Sequence, residues 1–266
     1  MVADFNGDGI DDLVVGVPGE DIGATTNAGA VNVIYGSESG LADGLRQQLT
    51  QALAEPGDGF GTAVATGDFN GDILTDLAVG VPGENLGGIV DAGAVEVFYG
   101  SGGVIGLPAV GDQLLRQGAA GMAGVVEAGD RFGAALATGL VDGAAGGLLG
   151  SGNVLITESQ PEAGDGFGAA VEIGDMTDGG LPTDPQDLAV GAPGENVGAT
   201  VDAGAAVYLV GRGFHVLLTQ AFGGASESGD QFGAALGPPT STATTPTTWS
   251  SGPRARTSAR PPTPGR

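Results

Sequence analysis

The chain has 266 residues, of which 54 are glycine, and it carries 32 acidic residues against eight arginines and no lysine, for a formal net charge of −24. Nucleic acid is not expected as a partner, because phosphate binding needs a basic surface. The absence of cysteine excludes a disulfide framework, a zinc–thiolate cluster and a thiol nucleophile. No apolar run approaches the length of a membrane span, so we expect no membrane insertion, and Met1 enters the first motif without a signal peptide.

The first predicted element is an acidic loop between two strands. Side-chain oxygens stand at loop positions one, three, five and nine, and a backbone carbonyl stands at position seven: Asp4, Asn6, Asp8, Asp12 and Ile10, respectively. A plain Asp/Asn/Gly turn is the alternative, but clustered carboxylates repel one another unless a cation lies between them. A hard cation with six to eight oxygen ligands suits this set, so the pattern predicts a calcium loop. Position twelve is Val15 rather than the glutamate of an EF-hand, which favours flanking strands over helices.

A second loop repeats the pattern at 68–76. Its predicted calcium ligands are Asp68, Asn70, Asp72, the carbonyl of Leu74, and Asp76. Ile73 stands where the first loop has a glycine suited to positive φ, so we expect this site to bind more weakly or to adopt another turn. Two later loops are degenerate: residues 140–147 hold one carboxylate, and residues 175–187 lack the spacing. Metal binding by those two is left open.

Two further markers recur around the loops. A Phe-Gly pair, closely preceded by Gly-Asp, begins at Phe60, Phe132, Phe167 and Phe232. A phenylalanine at a fixed place in each repeat is expected to fill the space between neighbouring sheets, and the glycine lets backbones approach closely. A Gly-x-Pro-Gly-Glu step follows the Leu-x-Val strand, and we expect its glutamates to be solvated or to cap the turn: Glu20, Glu84 and Glu195.

Each repeat therefore offers about four short strands: one after Phe-Gly, one reading Leu-x-Val, one reading Ala-Gly-Ala, and a weaker one such as 47–53. Four antiparallel strands in a repeat make a propeller blade. The predicted fold is all-β, an incomplete β-propeller of about four repeats within residues 1–236. The predicted repeats lie near 1–53, 54–118, 119–160, which is shortened, and 161–222, and a further one starts at 223–236.

The order of Phe-Gly, oxygen-rich loop and Gly-Val-Pro or Gly-Ala-Pro resembles the FG-GAP repeat, the blade of the integrin α-subunit β-propeller and of many extracellular bacterial proteins. The resemblance covers roughly residues 1–236. It implies a propeller whose inter-strand loops bind Ca²⁺ through positions one, three, five, seven and nine. It also implies an extracellular or cell-surface location, and adhesion to a protein or glycan ligand more often than catalysis.

Residues 237–266 differ in composition from the rest of the chain. They contain no acidic residue, eight threonines, seven of the 15 prolines and four of the eight arginines. One interpretation is a disordered Thr/Pro stalk. We favour a frameshift, because codons for Thr240 to Trp249, read one base back with suitable free third bases, spell Asp-Phe-Asn-Gly-Asp-Asn-Ser-Asp-Asp-Leu. The nucleotide sequence of the gene tests this hypothesis.

The residue types offer little catalytic chemistry. His215 is the one histidine of the sequence, in an apolar strand-like piece, and no Gly-x-Ser-x-Gly elbow accompanies it. Hydrolysis by paired carboxylates stays open because acidic residues are plentiful. We therefore expect a non-catalytic, calcium-binding module for adhesion or ligand binding. The alternatives are the ancillary propeller of a larger secreted hydrolase and a non-functional gene fragment.

Overall fold

The computed structural model describes residues 1–103, 105–111, 113–119, 125–139, 166–174, 187–210, 214–220 and 225–237, without the side chains of 42–44, 209–210 and 214–217. Every strand with a defined neighbour in these ranges belongs to one of three four-stranded antiparallel sheets. The prediction of an all-β fold with four-stranded blades is confirmed. No helix in the described ranges is long and apolar enough to cross a membrane.

The strands of each sheet are hydrogen-bonded to their neighbours in chain order. The first sheet contains β1 (Val2–Ala3), β2 (Asp12–Val17), β3 (Ala30–Ser37) and β4 (Gly40–Leu49). The second contains β5 (Val64–Gly67), β6 (Asp76–Val81), β7 (Ala94–Phe98) and β8 (Gln113–Leu115). The third contains β9 (Ala170–Gly174), β10 (Asp187–Ala192), β11 (Ala205–Val210) and β12 (Phe214–Thr219). His215 lies on β12, opposite Leu209.

The fourth strand of the first sheet differs from the prediction. We expected it near 47–53, but β4 starts at Gly40 and ends at Leu49. The reason is a tight turn after β3, in which the Ser37 hydroxyl donates to the Gly40 carbonyl at 2.6 Å and Gly40 has a φ of 112°. Gly40 and Leu41 therefore pair directly with Ser37 and Gly36 of β3. The register of the two strands shifts between Ile34 and Gly36.

The first and second sheets share one hydrophobic core. Phe60 is fully buried there and meets the ring of Phe98 edge to face, with ring centroids 6.0 Å apart. The second sheet turns its other face to Phe132, which packs against a smaller cluster with Val95 and Val97. Phe60 thus lies where the repeat pattern predicted it, between neighbouring sheets, and Phe132 packs against the second sheet. The shared core is formed by residues of both sheets, of the first acidic loop, of the connection between the sheets and of the segment at 107: Phe5, Val14, Val31, Val33, Tyr35, Leu49, Phe60, Leu77, Val79, Val81, Ala94, Phe98 and Leu107.

The glycine within each Leu-x-Val-Gly strand permits this packing. A Cβ atom on Gly16 would lie 2.0 Å from the carbonyl oxygen of Gly61, and one on Gly80 would lie 1.9 Å from that of Gly133. The Phe-Gly pair of one repeat thus rests directly on the backbone of the preceding sheet. Any larger residue at either strand position would force the neighbouring backbone away.

Because neighbouring strands in each sheet are consecutive in the chain and antiparallel, successive loops lie at alternating ends of the sheet. The β1–β2 loop, which is the first acidic loop, lies at the same end as the β3–β4 turn, since antiparallel neighbours reverse direction at each step. The corresponding turn of the second sheet contacts that end of the first sheet, where Gly103 N–H donates to the carbonyl of Asn6 at 3.2 Å. The opposite end carries the β2–β3 loops and the connections between sheets. The two are hydrogen-bonded to each other, since the N–H of Gly57 donates to the carbonyl of Thr26 at 3.0 Å.

Candidate metal-binding loops

The first acidic loop, residues 4–12, wraps its backbone around the carboxylate of Asp4. Oδ1 of Asp4 accepts the N–H of Gly7 at 2.7 Å and of Asp8 at 3.2 Å, and Oδ2 accepts the N–H of Gly9 at 2.9 Å. Gly7 and Gly9 have φ values of 75° and 85°, a region that glycine adopts at little cost. The two glycines therefore give the loop its shape.

Positions three, five and seven are linked to one another through short-range turns. Asn6 Nδ2 donates to Asp8 Oδ2 at 3.1 Å, and Asn6 Oδ1 accepts the N–H of Asp8 at 3.0 Å. Asp8 Oδ1 accepts the N–H of Ile10 at 2.8 Å. Asp8 is exposed to solvent. Bonds of this kind are what make Asn and Asp frequent in turns, and they hold three oxygen-bearing groups in one short segment.

Position nine is buried and anchors the loop to the sheet. Asp12 is fully buried at the start of β2, and its Oδ2 accepts the N–H of Phe5 at 3.0 Å while Oδ1 accepts the N–H of Gly36 at 2.9 Å. Burial raises the pKa of Asp12 above its ordinary value, against the opposing effect of these two N–H groups. The negative charges of Asp8 and Asp4 raise this pKa further. The three carboxylates are therefore close enough to repel one another.

The second acidic loop, residues 68–76, repeats this hydrogen bonding bond for bond. Asp68 accepts three backbone N–H groups, from Gly71 at 2.7 Å, Asp72 at 3.1 Å and Ile73 at 2.9 Å. These three distances match those of the Asp4 bonds to within about 0.1 Å, and the links at positions three, five and seven agree equally well with those of the first loop. Asp76 is also fully buried, accepting from Phe69 and Gly100. Two separate stretches of sequence thus build one structure.

The carboxylates at the two ends of the second loop have pKa values shifted in opposite directions. Burial raises the pKa of Asp76, against the N–H groups of Gly100 and Phe69. Desolvation also acts upward on the pKa of Asp68, but the N–H groups of Ile73, Gly71 and Asp72 together outweigh it and lower the pKa. Asp68, the first residue of the loop, is therefore held in its ionised form.

Ile73 adopts the same turn as Gly9. Its φ is 67°, its N–H bonds to Asp68 as the N–H of Gly9 bonds to Asp4, and its side chain is 92% exposed. The alternative expectation, that the isoleucine imposes another turn, is wrong. The N–H bonds to Asp68 fix the backbone, and full exposure spares the side chain a clash, so a strain of about 1–3 kcal/mol is tolerated.

Both loops contain the oxygen ligands that a hard cation needs. Each presents three carboxylates and an amide oxygen, and each carboxylate has about four lone-pair positions, of which these bonds fill at most three. In the described ranges, no group of three or more His, Cys, Asp or Glu side chains is already arranged as a metal centre. The oxygen set fits calcium, while the carboxylates themselves are turned toward the N–H groups of their own loops.

The two degenerate loops lie largely outside the described residues, which leave out 140–147 and 175–186. Asp187, at the end of the fourth predicted loop, begins β10 in the place that Asp12 and Asp76 take in β2 and β6. It is 2% exposed, and its Oδ2 accepts the hydroxyl of Tyr208 at 2.9 Å. The buried aspartate is thus common to all three sheets.

The opposite end of the sheets carries a polar contact that sequence reasoning missed. Gln51, just after β4, donates its side-chain amide to Oε2 of Glu84 in the next sheet. Glu84 is half-buried, and burial raises its pKa, so the expectation of a solvated or turn-capping glutamate is wrong for this residue. Glu20, the equivalent residue of the first sheet, is exposed as expected. Glu84 packs against the first sheet, whereas no sheet precedes Glu20 in the described structure. Glu195 of the third sheet is half-buried as well, and its Oε2 is buried.

A recurring signal for this contact is present in the sequence. A Leu-x-Gln triplet ends the fourth strand of each described sheet, at Gln51, Gln117 and Gln220, and each glutamine has a buried Oε1 that accepts no hydrogen bond in the described structure. The Glu-x-Gly-Asp that follows is a turn in which the glutamate N–H donates to the aspartate, as from Glu127 to Asp130 at 2.7 Å. This turn explains the Gly-Asp found before Phe60, Phe132 and Phe232.

Comparison with known proteins places the loops within one family. A family model described as FG-GAP repeat matches residues 1–34 and 60–98, which hold both acidic loops and the strands β2, β3, β6 and β7. The recognition of FG-GAP repeats is therefore confirmed for these two stretches.

Two groups of proteins are among those similar to this chain. The phosphatidylinositol-glycan-specific phospholipase D of Mus musculus is 42% identical over 103 residues, which are 37% of this chain and 12% of the relative. Integrin alpha-PS5 of Drosophila melanogaster is 40% identical over 87 residues, 31% of this chain and 8% of the relative, and integrin alpha-V of Gallus gallus is 39% identical over 81 residues, 30% and 7%. The chain thus matches about an eighth or less of each relative's length.

Proposed function

Because residues 1–34 and 60–98 of this chain are FG-GAP repeats, we propose that the chain is a calcium-binding module of an extracellular β-propeller that binds a protein or glycan ligand. The observation that carries the proposal is the bond-for-bond agreement of the two acidic loops, down to the buried aspartate at position nine. A turn without a ligand would not need the same three carboxylates and amide in both copies.

The proposed ligands of calcium are the oxygens of loop positions one, three, five, seven and nine in each loop. They are Asp4, Asn6, Asp8, the carbonyl of Ile10 and Asp12, and Asp68, Asn70, Asp72, the carbonyl of Leu74 and Asp76. The cation supplies positive charge that offsets the mutual repulsion of the carboxylates. The chain's own residues hold these oxygens in place through the N–H groups of each loop.

Calcium is assigned a stabilising role rather than a catalytic one. With a dissociation constant of about 0.1 mM, as in extracellular modules, millimolar calcium would stabilise the folded chain by about 1.4 kcal/mol per site. Two sites would contribute about 3 kcal/mol, a large share of a typical domain stability of about 5–15 kcal/mol. The integrin α relatives support a binding module located outside the cell, with the ligand left to experiment.

Calorimetric titration of the full chain with calcium tests this proposal. We expect one binding site to be lost in Asp8→Asn and both to be lost in Asp8→Asn/Asp72→Asn, because asparagine can still accept the backbone N–H at loop position seven but removes a charge and one oxygen acceptor. Asp11→Asn is the matched control, since Asp11 is an exposed carboxylate of the same loop at a position that is not assigned to the metal. Calcium binding that the double variant leaves unchanged would refute the assignment.

A second candidate function has a specific observation in its favour. The phospholipase D relatives are named as enzymes, and this chain matches 12% of their length, so the module is alternatively the ancillary propeller of a larger secreted hydrolase. Sequencing the gene and its flanks distinguishes the two. An open reading frame that continues into a catalytic domain favours the hydrolase, and one that contains only further repeats favours the binding module.

A further inference from the structure

A buried glutamate lies between the first and second sheets. Glu96, on β7, is 6% exposed, and its register partner on β6 is Val79, which belongs to the core shared by the two sheets. Residues paired across antiparallel strands point to the same face, so the Glu96 side chain faces the first sheet. The first sheet has Asn32 at the equivalent position and the third has Val207. Among the three described sheets, the second is the one with an ionisable group at this strand position.

Three oxygen atoms of this region are buried and accept no hydrogen bond in the described part of the chain. They are Oε2 of Glu96, Oδ1 of Asp58 and Oε1 of Gln51. Asp58 is fully buried in the connection between the sheets, and Gln51 reaches Glu84 from the first sheet. All three atoms are acceptors when the carboxyls are ionised, so the site lacks hydrogen-bond donors. Acceptors without donors in a buried site are costly, unless one of them carries a proton.

The charges around Glu96 do not compensate it. The negative charge of Glu84 acts on both Glu96 and Asp58, and Glu55 acts on Glu84 and Asp58. The cation that acts on this group of carboxylates is Arg116, through Glu84. From the first sheet, β3 contributes the buried Tyr35, whose hydroxyl donates to Gln47, and Arg46 of β4 is exposed. In the described structure, the charges that act directly on Glu96 and Asp58 are thus negative ones.

Protonation balances this negative charge, because it removes a charge from a carboxyl and turns an acceptor into a donor. Burial raises the pKa of Glu96 to about 7, despite the N–H of Gly111, and that of Asp58 to about 6. A neutral Glu96 is thus accessible near pH 6.

We propose that Glu96 is protonated in the folded protein and makes the contact between the first and second sheets a proton-dependent one, which weakens as the pH rises through neutrality. Protonation removes the charge from this buried carboxyl and turns one of its oxygens into a hydrogen-bond donor. On deprotonation a carboxylate is left buried beside the negative charge of Glu84 and the apolar core residues. Glu96 is separate from the acidic loops, which are proposed to bind calcium.

The direction of the pH effect on stability follows from the raised pKa of Glu96. The folded protein holds the Glu96 proton to about pH 7, whereas an unfolded chain releases it near the ordinary value of 4.5. Between these values the folded state binds more protons, so stability is largest at low pH and is lost as the pH rises through 7. From pH 5 to pH 8 this one group should raise the unfolding equilibrium constant roughly 70-fold.

The test is urea unfolding of the full chain in EDTA at pH 5, 6, 7 and 8, followed by circular dichroism. The wild type is compared with Glu96→Gln, which keeps the shape and is neutral throughout, and with the control Glu20→Gln, whose side chain is exposed. We expect Glu96→Gln to remove roughly 70-fold of the wild-type pH dependence and Glu20→Gln to leave it unchanged. Parallel profiles for wild type and Glu96→Gln would overturn the proposal.

A second measurement covers the case in which Glu96→Gln does not fold. The Cδ chemical shift of Glu96 in the wild-type chain can be followed by NMR as the pH is raised. Titration near pH 7 supports the proposal. Titration near 4.5 would show that Glu96 is ionised and that a water molecule, rather than a proton, satisfies its oxygen, and this would overturn the proposal.

Discussion

The first and second sheets have the same local structure and very different burial. Their acidic loops share every hydrogen bond, yet β2 alternates between buried and accessible residues whereas all six residues of β6 are buried. Val15 is 41% exposed, while Val79, its equivalent, is fully buried. The second sheet packs between the first sheet and the Phe132 segment, and the first sheet is covered on one face in the described structure. Local sequence thus determines the structure of the acidic loop, whereas the neighbouring sheets determine how deeply the strands are buried.

The largest expected difference between the sheets concerns their apolar strands. Leu77→Ala should destabilise the chain by about 3 kcal/mol, because Leu77 is fully buried in the shared core. Leu13→Ala, at the equivalent position, should cost about 1 kcal/mol or less, because Leu13 is half-buried. Urea unfolding measures both. Equal losses would mean that the faces of the two sheets are covered alike.

A smaller effect should be the same in both sheets. Asp12→Asn and Asp76→Asn each leave one of two backbone N–H groups without a carboxylate acceptor, at a cost of about 1–2 kcal/mol. The experiment is run in EDTA so that bound calcium makes no contribution. Losses that differ by more than about 1 kcal/mol would break the equivalence of the two loops.

The smallest expected effect concerns loop position six, which is Gly9 in the first acidic loop and Ile73 in the second. Ile73→Gly should stabilise the chain by about 1 kcal/mol, because it relieves a β-branched residue at a φ of 67°. The reverse change, Gly9→Ile, should destabilise by a similar amount. Thermal unfolding in EDTA checks the pair. If Ile73→Gly lowers stability, the left-handed conformation at this position is not strained.

Much of the fold could be predicted from the sequence because each repeat carries its own turn chemistry. The acidic loop, the Phe-Gly pair and the Gly-x-Pro-Gly step each determine a local structure, and Phe60 lies in the core as its recurrence indicated. The bounds of β4 were missed because a tight turn at Ser37 and Gly40 starts the strand earlier than its apolar pattern indicates.

The polar contacts between sheets could not be predicted in the same way. Glu20 and Glu84 have the same local sequence, and only the presence of Gln51 in a preceding sheet makes one of them half-buried. Glu96 similarly alternates with apolar residues on β7, and its burial follows from the first sheet packing over that face. Such contacts depend on residues distant in sequence, so a single repeat contains no sign of them.

The proposal that the acidic loops bind calcium and so stabilise both sheets is tested most directly by thermal unfolding of the full chain in EDTA and in 1 mM calcium. Two sites worth about 3 kcal/mol together should raise the Tm by roughly 6–12 °C. The rise should disappear in Asp8→Asn/Asp72→Asn and persist in Asp11→Asn. A Tm that calcium leaves unchanged in the wild type, or raises equally in the double variant, would contradict the proposal.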